Sequence, residues 1–141
     1  MITPCVFCKI VAGEIPSTRL YEDEDTLVFM DIAPIIQGHA LVIPKRHYDP
    51  LTATPVPVLQ ALIAVIRAVA QAQTQALKAD GINVMQANGA AAGQVVPHLH
   101  FHVIPRFNTD GHSWNWNPRS YSDPADMRQL ADTIRQAWPQ E

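Results

Sequence analysis

Cysteine is scarce in these 141 residues: two occur, in Cys5-Val6-Phe7-Cys8. Two thiols cannot build a disulfide framework, which excludes the class of small domains stapled by several bridges. Basic charge is not in excess. Ten Lys and Arg stand against 13 Asp and Glu, a net charge of −3, so no broad cationic surface is expected and nucleic acid is not an expected partner. Long apolar runs are missing. The longest, Leu62 to Ala72, is broken by Arg67, and no membrane span is expected. No basic stretch followed by apolar residues opens the chain, so the expectation is a cytoplasmic protein without a secretory leader. There is no internal repeat and no long linker. Residues 1–141 are expected to form one domain, long enough to bury a core.

Leu27-Val28-Phe29-Met30 and Ala40-Leu41-Val42-Ile43 read as short buried strands, with Pro34 and Gly38 marking the loop between them. Thr54 followed by Pro55 reads as an N-cap and first helical residue. From there Leu59, Leu62, Val65, Ile66, Val69 and Leu77 recur near helical spacing, and Gly81 is expected to end the helix. Its stripe fits a core or a helix-to-helix interface. Ile82–Ala87 and Val95–Pro105 read as an antiparallel strand pair around a Gly/Ala loop. Residues 107–141 change character and form a C-terminal extension. Trp114 and Trp116 there either cover a site or fasten the tail to the sheet. Asp123-Pro124 then opens a last helix striped by Met127, Leu130, Ile134 and Trp138. Strands outnumber helices without strand–helix–strand alternation, so the expected class is α+β with a mainly antiparallel sheet.

The most informative stretch is His98-Leu99-His100-Phe101-His102-Val103-Ile104. Alternate residues of a strand share a face. Leu99, Phe101 and Val103 are therefore expected in a core, with three imidazoles in a row opposite. Imidazole titrates near neutrality, which suits proton transfer, nucleophilic attack or metal ligation. Directly before this strand runs Asn88-Gly89-Ala90-Ala91-Ala92-Gly93-Gln94. Small residues let a backbone approach a ligand, and turn N–H groups suit an anion. Side by side, loop and histidines suggest a phosphate held against the imidazole row.

These residues closely resemble the signature of the histidine triad family of nucleotide hydrolases and transferases, His-φ-His-φ-His-φ-φ with φ apolar. The resemblance runs from about Phe7 to Arg106. It includes Phe29-Met30-Asp31-Ile32, Gly38 through Lys45, and Asn88 through Gln94. It implies a five-stranded sheet with a long central helix, and a homodimer in which two sheets become continuous. It implies that His100 is a nucleophile that attacks the α-phosphorus of a nucleotide, and that water then releases the nucleoside monophosphate. His102 would contact the phosphate and help protonate the leaving group. His98 and His39 would support the row and fix tautomers. Asn88, Gln94 and the Val95 N–H would hold phosphoryl oxygens. Val95 stands where many members carry Ser or Thr, so a hydroxyl contact is lost there.

Asp31 matches the family's ribose ligand, although on its own it also reads as a turn Asp. Phe7, Ile10, Phe29 and Leu41 match a slot that sandwiches a purine base, although each also reads as core. His102 stands where the sugar-phosphate nucleotidyltransferase branch carries Gln, which points to hydrolysis. Some bacterial members hold a structural zinc with two cysteines and two histidines. The matching set here is Cys5, Cys8, His47 and His98, a reasonable tetrahedral site. Without zinc these cysteines would be free thiols or a redox pair. On this reading catalysis itself requires no metal. Two alternatives remain beside the phosphoramidase or hydrolase: a dinucleoside polyphosphate hydrolase, and a nucleotide-binding module with little turnover. A metal site made of the triad itself lacks a nearby carboxylate in sequence.

Overall fold

The structure is a computed structural model, and it describes residues 4–114 and 116–140. Five strands form one antiparallel sheet in the order β1-β2-β3-β5-β4: β1 (Arg19–Glu22), β2 (Thr26–Met30), β3 (Ala40–Pro44), β4 (Gly81–Met85) and β5 (Phe101–Arg106). The class is α+β, as expected. Three helices accompany the sheet: α1 (Val6–Val11), α2 (Val56–Leu77) and α3 (Pro124–Gln136).

β2 and β3 are continuous apolar runs because both faces of the sheet are covered. Val28, Ala40, Val42, Leu99 and Val103 pack on one face against Leu62, Ile66 and Val69 of α2. On the other face Leu27, Phe29, Leu41 and Ile43 meet Phe7 and Ile10 of α1. The alternation in the histidine segment therefore does what was expected. Leu99 and Val103 turn to the α2 core, and the imidazoles turn the other way.

Several boundaries differ from expectation. β5 begins at Phe101 and not at Val95, so only His102 of the triad lies in the strand. Pro97 has no N–H to give a ladder. His98 N–H turns back to Val96 O, and Leu99 N–H goes to Tyr48 O. α2 starts at Val56 with Pro55 in the cap position and no side-chain cap. Thr54 lies one residue before the cap, and its hydroxyl donates to Pro50 O in the preceding 3-10 turn. The same helix ends at Lys78 in the left-handed region, and Gly81 is the first residue of β4. At 22 residues α2 is also long and apolar enough to cross a membrane, contrary to the reading of its Arg67-broken run. Its Leu62, Ile66 and Val69 are buried against the sheet.

Leu62, Ile66 and Val69 of the α2 stripe are therefore core, whereas Leu77 is exposed. β1 and α1 had no periodic signal. β1 is an exposed edge strand of mixed character, and α1 is only six residues long, capped by Cys5 Sγ accepting from Cys8 N–H. α3 starts at the expected Asp123 cap, and its Met127, Leu130, Ile134 and Trp138 stripe is exposed. Trp114 is fastened to the sheet, its indole N–H donating to Asn83 Oδ1 at 2.9 Å, whereas Trp116 is exposed.

Candidate active site

A cavity of about 570 Å³ opens on the α1 face of the sheet, a size that accommodates a small ligand. Its walls include Phe7, Ile10, Phe29 and Leu41, which are also members of the core cluster beneath it. Asp31, Val95, His100 and His102 complete it. A larger cavity of about 900 Å³ on the α2 face is lined by Leu20, Val69, Ala72, Leu77 and their neighbours. Among the described residues that line it there is no histidine, cysteine or basic group, and the one carboxylate, Asp110, is already paired with Arg106. The imidazoles His100 and His102 are on the smaller cavity.

Hydrogen bonds assign a tautomer to each buried ring. His100 Nδ1–H donates to His98 O at 2.7 Å. A carbonyl only accepts, so the proton is on Nδ1 and the Nε2 lone pair of His100 is free. The ring stands edge-on to Phe7, with centroids 5.1 Å apart. His39 is fixed in the opposite sense. Ile35 N–H donates to His39 Nδ1 at 3.2 Å, so the His39 proton is on Nε2 and donates to His102 Nδ1 at 2.8 Å. The remaining proton of neutral His102 is then on its Nε2. Ile35 had no signal in sequence, since its part is played by a backbone N–H.

Burial pushes His102 down to about 4, assisted by His100 and His39, while Asp31 opposes it. Burial also lowers His39, again against Asp31. Both rings are thus held neutral at neutral pH, below the ordinary value of 6.5. As pH falls from about 6.5 to about 4, the unfolded chain takes up protons that the folded chain refuses. Stability is full above that window and drains away through it. Thermal scans are expected to show a plateau from about pH 7 to 8 and a melting temperature several degrees lower near pH 5. A flat profile down to pH 5 would contradict the neutral pair.

Asp31 divides its two oxygens. Oδ1 accepts from Ala33 N–H at 2.8 Å, which is the turn role, and Oδ2 lies 3.5 Å from His39 Nε2. The carboxylate missing from the sequence around the triad is thus supplied by the end of β2. Asp31, His39 and His102 bring ligand-type atoms within 4.8 Å of one another. A cation there would need the Nε2 lone pair of His39, and the Ile35 N–H keeps a proton on that atom. The trio is a chain of polar contacts in which His39 Nε2 lies against both Asp31 Oδ2 and His102 Nδ1.

Asn88 and Gln94 do not line the cavity. Asn88 Oδ1 accepts from Leu51 N–H, and its amide nitrogen donates to Gln86. Gln94 Oε1 accepts from Gly89 N–H, and its Nε2 donates to Asp49 and to Val96 O. Both side chains brace the loop, and their amides are occupied there. Val95 is 90% exposed at the cavity mouth, and its backbone N–H has no partner among the described residues.

Behind His100 lies a second cluster. The ligand-type atoms of Cys5, Cys8, His47 and His98 all fall within 4.8 Å of one another. His98, fully buried, donates its Nε2–H to Pro44 O at 2.9 Å. Its Nδ1 lone pair therefore points at Cys5 Sγ, 3.4 Å away, and Cys8 Sγ, 3.6 Å away. His47 Nδ1 is 3.1 Å from His98 Nδ1 and 3.5 Å from Cys8 Sγ. A ring whose outer N–H is tied to a carbonyl and whose inner lone pair faces two thiols is arranged as metal-binding histidines are. Burial pushes the Cys8 thiol up to about 11, helped by Cys5, so a metal would have to displace its proton.

Comparison with known proteins agrees with this geometry. The HIT domain model matches residues 12–109. A protein named adenylylsulfatase HINT3 from Arabidopsis thaliana is 45% identical over 75% of this chain, and the matched part covers 54% of that relative. Adenosine 5′-monophosphoramidase HNT1 from Candida albicans is 44% identical over 72% of this chain and 70% of its own. A crystal structure of a HIT family member from Bacillus subtilis superposes with a TM-score of 0.90 at 34% identity, covering 99% of this chain and all of that one. A zinc-bound histidine triad protein from Mycobacterium smegmatis superposes with a TM-score of 0.75 at 41% identity, over 94% of this chain and 96% of that one. With the family model spanning well over half its residues and this sheet, cavity and histidine row in place, the chain belongs to the HIT domain family.

Proposed function

We propose that the protein hydrolyses purine nucleotide conjugates at the α-phosphorus, with the P–N bond of a nucleoside phosphoramidate as the favoured target. The observation that carries this reading is the locked His100 ring: its Nδ1–H is held by a carbonyl and its Nε2 lone pair is free. That lone pair attacks the α-phosphorus. The P–N bond breaks, and its electron pair leaves with the amine nitrogen, which takes a proton. The positive charge that develops on His100 is stabilised through the bond to His98 O. His102 is the proton carrier. Phosphoryl oxygens arriving beside its Nε2 favour its protonated form, whose second proton sits on Nδ1 and is accommodated when the His39 Nε2–H turns from His102 to Asp31 Oδ2, 3.5 Å away, against the burial that keeps it neutral in the empty site. It gives that proton to the leaving amine. It then takes one from the water that cleaves the His100–phosphorus bond, and nucleoside monophosphate departs.

Recognition is assigned to the walls. Asp31 Oδ2 receives the ribose hydroxyls, the Val95 N–H holds a phosphoryl oxygen, and Phe7, Ile10, Phe29 and Leu41 sandwich the base. No Lys or Arg is among the described residues that line the cavity. A polyphosphate or sulfate leaving group would carry its extra charge past exposed Val95 and Ile32 with no cation to meet it. This argues for a neutral amine and against the dinucleoside polyphosphate alternative. A zinc held by Cys5, Cys8, His47 and His98 is also part of this reading. It would tie α1 to the histidine segment and would hold His98 in place beneath His100.

The test is AMP release measured side by side from adenosine 5′-phosphoramidate, adenylyl sulfate and a dinucleoside polyphosphate. The phosphoramidate is expected to give the largest kcat/KM by about tenfold or more. A dinucleoside polyphosphate that is turned over faster would reverse the assignment. A 2′,3′-dideoxy substrate in the same assay should lose kcat/KM on wild type and little further on Asp31→Asn. Equal losses on both would remove Asp31 from the ribose site. The chain is proposed to act as a homodimer, because Ile63 on α2, Val84 at the sheet edge and the α3 stripe are all exposed apolar groups. Light scattering at micromolar concentration is expected to report twice the chain mass, and a monomer would refute it.

A further inference from the structure

Gln73 lies on α2, on the side of the sheet away from the cavity, and is only 6% exposed. A helix face packed into a core rarely keeps an amide. This one donates both Nε2 protons to the sheet and its approach: 3.0 Å to Gly38 O and 2.9 Å to Val103 O. Its own Oε1 is buried with no partner among the described residues, a cost that an apolar residue would avoid. The two carbonyls it grips belong to the residue just before His39 and the residue just after His102. Those histidines come from different segments, one entering β3 and one within β5, and their rings must meet at 2.8 Å. His39 N–H donates to Ile36 O and His39 O accepts from Asp31 N–H, but Gly38 makes no backbone bond among the described residues. The β3–β5 register runs only from Ala40 to Val42, opposite Val103 to Phe101. Gly38 adopts a backbone conformation that L side chains rarely adopt. Its φ is +99°, and a Cβ there would sit 2.7 Å from Leu77 Cδ1.

We propose that Gln73 is a positioning residue: from the far face of the sheet it clamps the backbone on either side of the His39–His102 pair, and so sets the ring contact that fixes His102 with its proton on Nε2. It touches no substrate. The role of His102 rests on the phosphoryl-transfer reading given above, whereas the clamp itself does not.

Two measurements test this. In wild type, NMR should show the Gln73 side-chain amide protons slow to exchange, with couplings across the hydrogen bonds to the carbonyl carbons of Gly38 and Val103. Long-range nitrogen–proton spectra should show one tautomer for His39 and His102. Fast exchange without those couplings would overturn the clamp, whether or not the chain hydrolyses any nucleotide. In Gln73→Met, which keeps the length and has no donor, and Gln73→Glu, which keeps the shape but offers one donor at most when its buried carboxyl is protonated, the His102 signal should become a tautomer mixture. The kcat for the phosphoramidate should fall about 10- to 100-fold with AMP affinity within about twofold, as misplacement of a reacting group affects turnover before binding. Variants that fold and keep both the single tautomer and kcat within twofold of wild type would refute the proposal. A wild type that shows the clamp but no hydrolysis would refute the catalytic reading alone.

Discussion

His100→Ala is expected to lose turnover by several orders of magnitude while AMP still binds within a few-fold of wild type. The base slot and Asp31 lie on other elements, β2, β3 and α1, so removing the imidazole leaves recognition intact. Only the covalent route is lost. In free-energy terms the substitution removes an interaction made on the way to the transition state and not in the ground state, so kcat falls and KM does not rise with it. Rapid-quench experiments should trap a nucleotidyl-enzyme on wild type and none on the variant. Activity above about a tenth of wild type in His100→Ala would show that water attacks directly, and His100 would then be a wall of the cavity. His100→Gln is a useful companion, because its amide can still donate to His98 O and preserve the local fold without supplying the nucleophile.

Loss of the Cys5–Cys8 pair is expected to have the largest effect on stability. Protein purified without chelator should contain about one zinc per chain. Cys5→Ser with Cys8→Ser should contain none and should melt at least several degrees lower, because the free energy of metal binding is free energy of folding. Two coupled losses are expected here. The hydroxyl of Cys5→Ser can still cap α1 as Cys5 Sγ does, but α1, which supplies Phe7 and Ile10 to the base slot, would lose its metal tether, so AMP affinity should fall with the metal. His98 would keep its bond to Pro44 O but lose the partner on its other nitrogen, and the carbonyl that orients His100 would loosen. Metal analysis that finds no zinc in wild type would leave two cysteines against two imidazoles and would end the zinc proposal. Cobalt substitution offers an optical check, since two thiolate ligands give strong charge-transfer bands that a site of nitrogen and oxygen ligands lacks.

Much of this was legible in the residues. The alternation from His98 to Val103 placed apolar side chains in one core and imidazoles opposite. The antiparallel pairing of β4 with β5 followed from the Gly/Ala loop between two apolar runs. Asp123-Pro124 marked the start of α3 through a cap that acts within one turn. Side-chain facing and caps are local, so spacing along the chain reports them directly. Other features had no such signature. β1 and α1 are too short or too polar for a periodic pattern. Asn88 and Gln94 looked like free donors beside a phosphate loop, but intramolecular bonds to Leu51, Gly89, Asp49 and Val96 occupy them. Val95 to His100 looked like strand until Pro97 and the bond from Leu99 to Tyr48 O placed it outside the ladder.

By itself the chain determined which residue types were available: three alternating imidazoles, two cysteines three apart, a carboxylate at the end of an apolar strand. It also determined which faces of the strands would be dry. Only the tertiary structure decided which nitrogen of each imidazole carries a proton. That choice depends on acceptors and donors distant in the chain: Pro44 O for His98, His98 O for His100, and the Ile35 N–H and His102 for His39. Only the fold brought Asp31 to the histidines and Gln73 beneath them. The reason is physical. Burial makes every unpaired polar atom costly, and a buried imidazole therefore takes the tautomer that its surroundings satisfy. Those surroundings come from segments tens of residues away, so no local pattern records them.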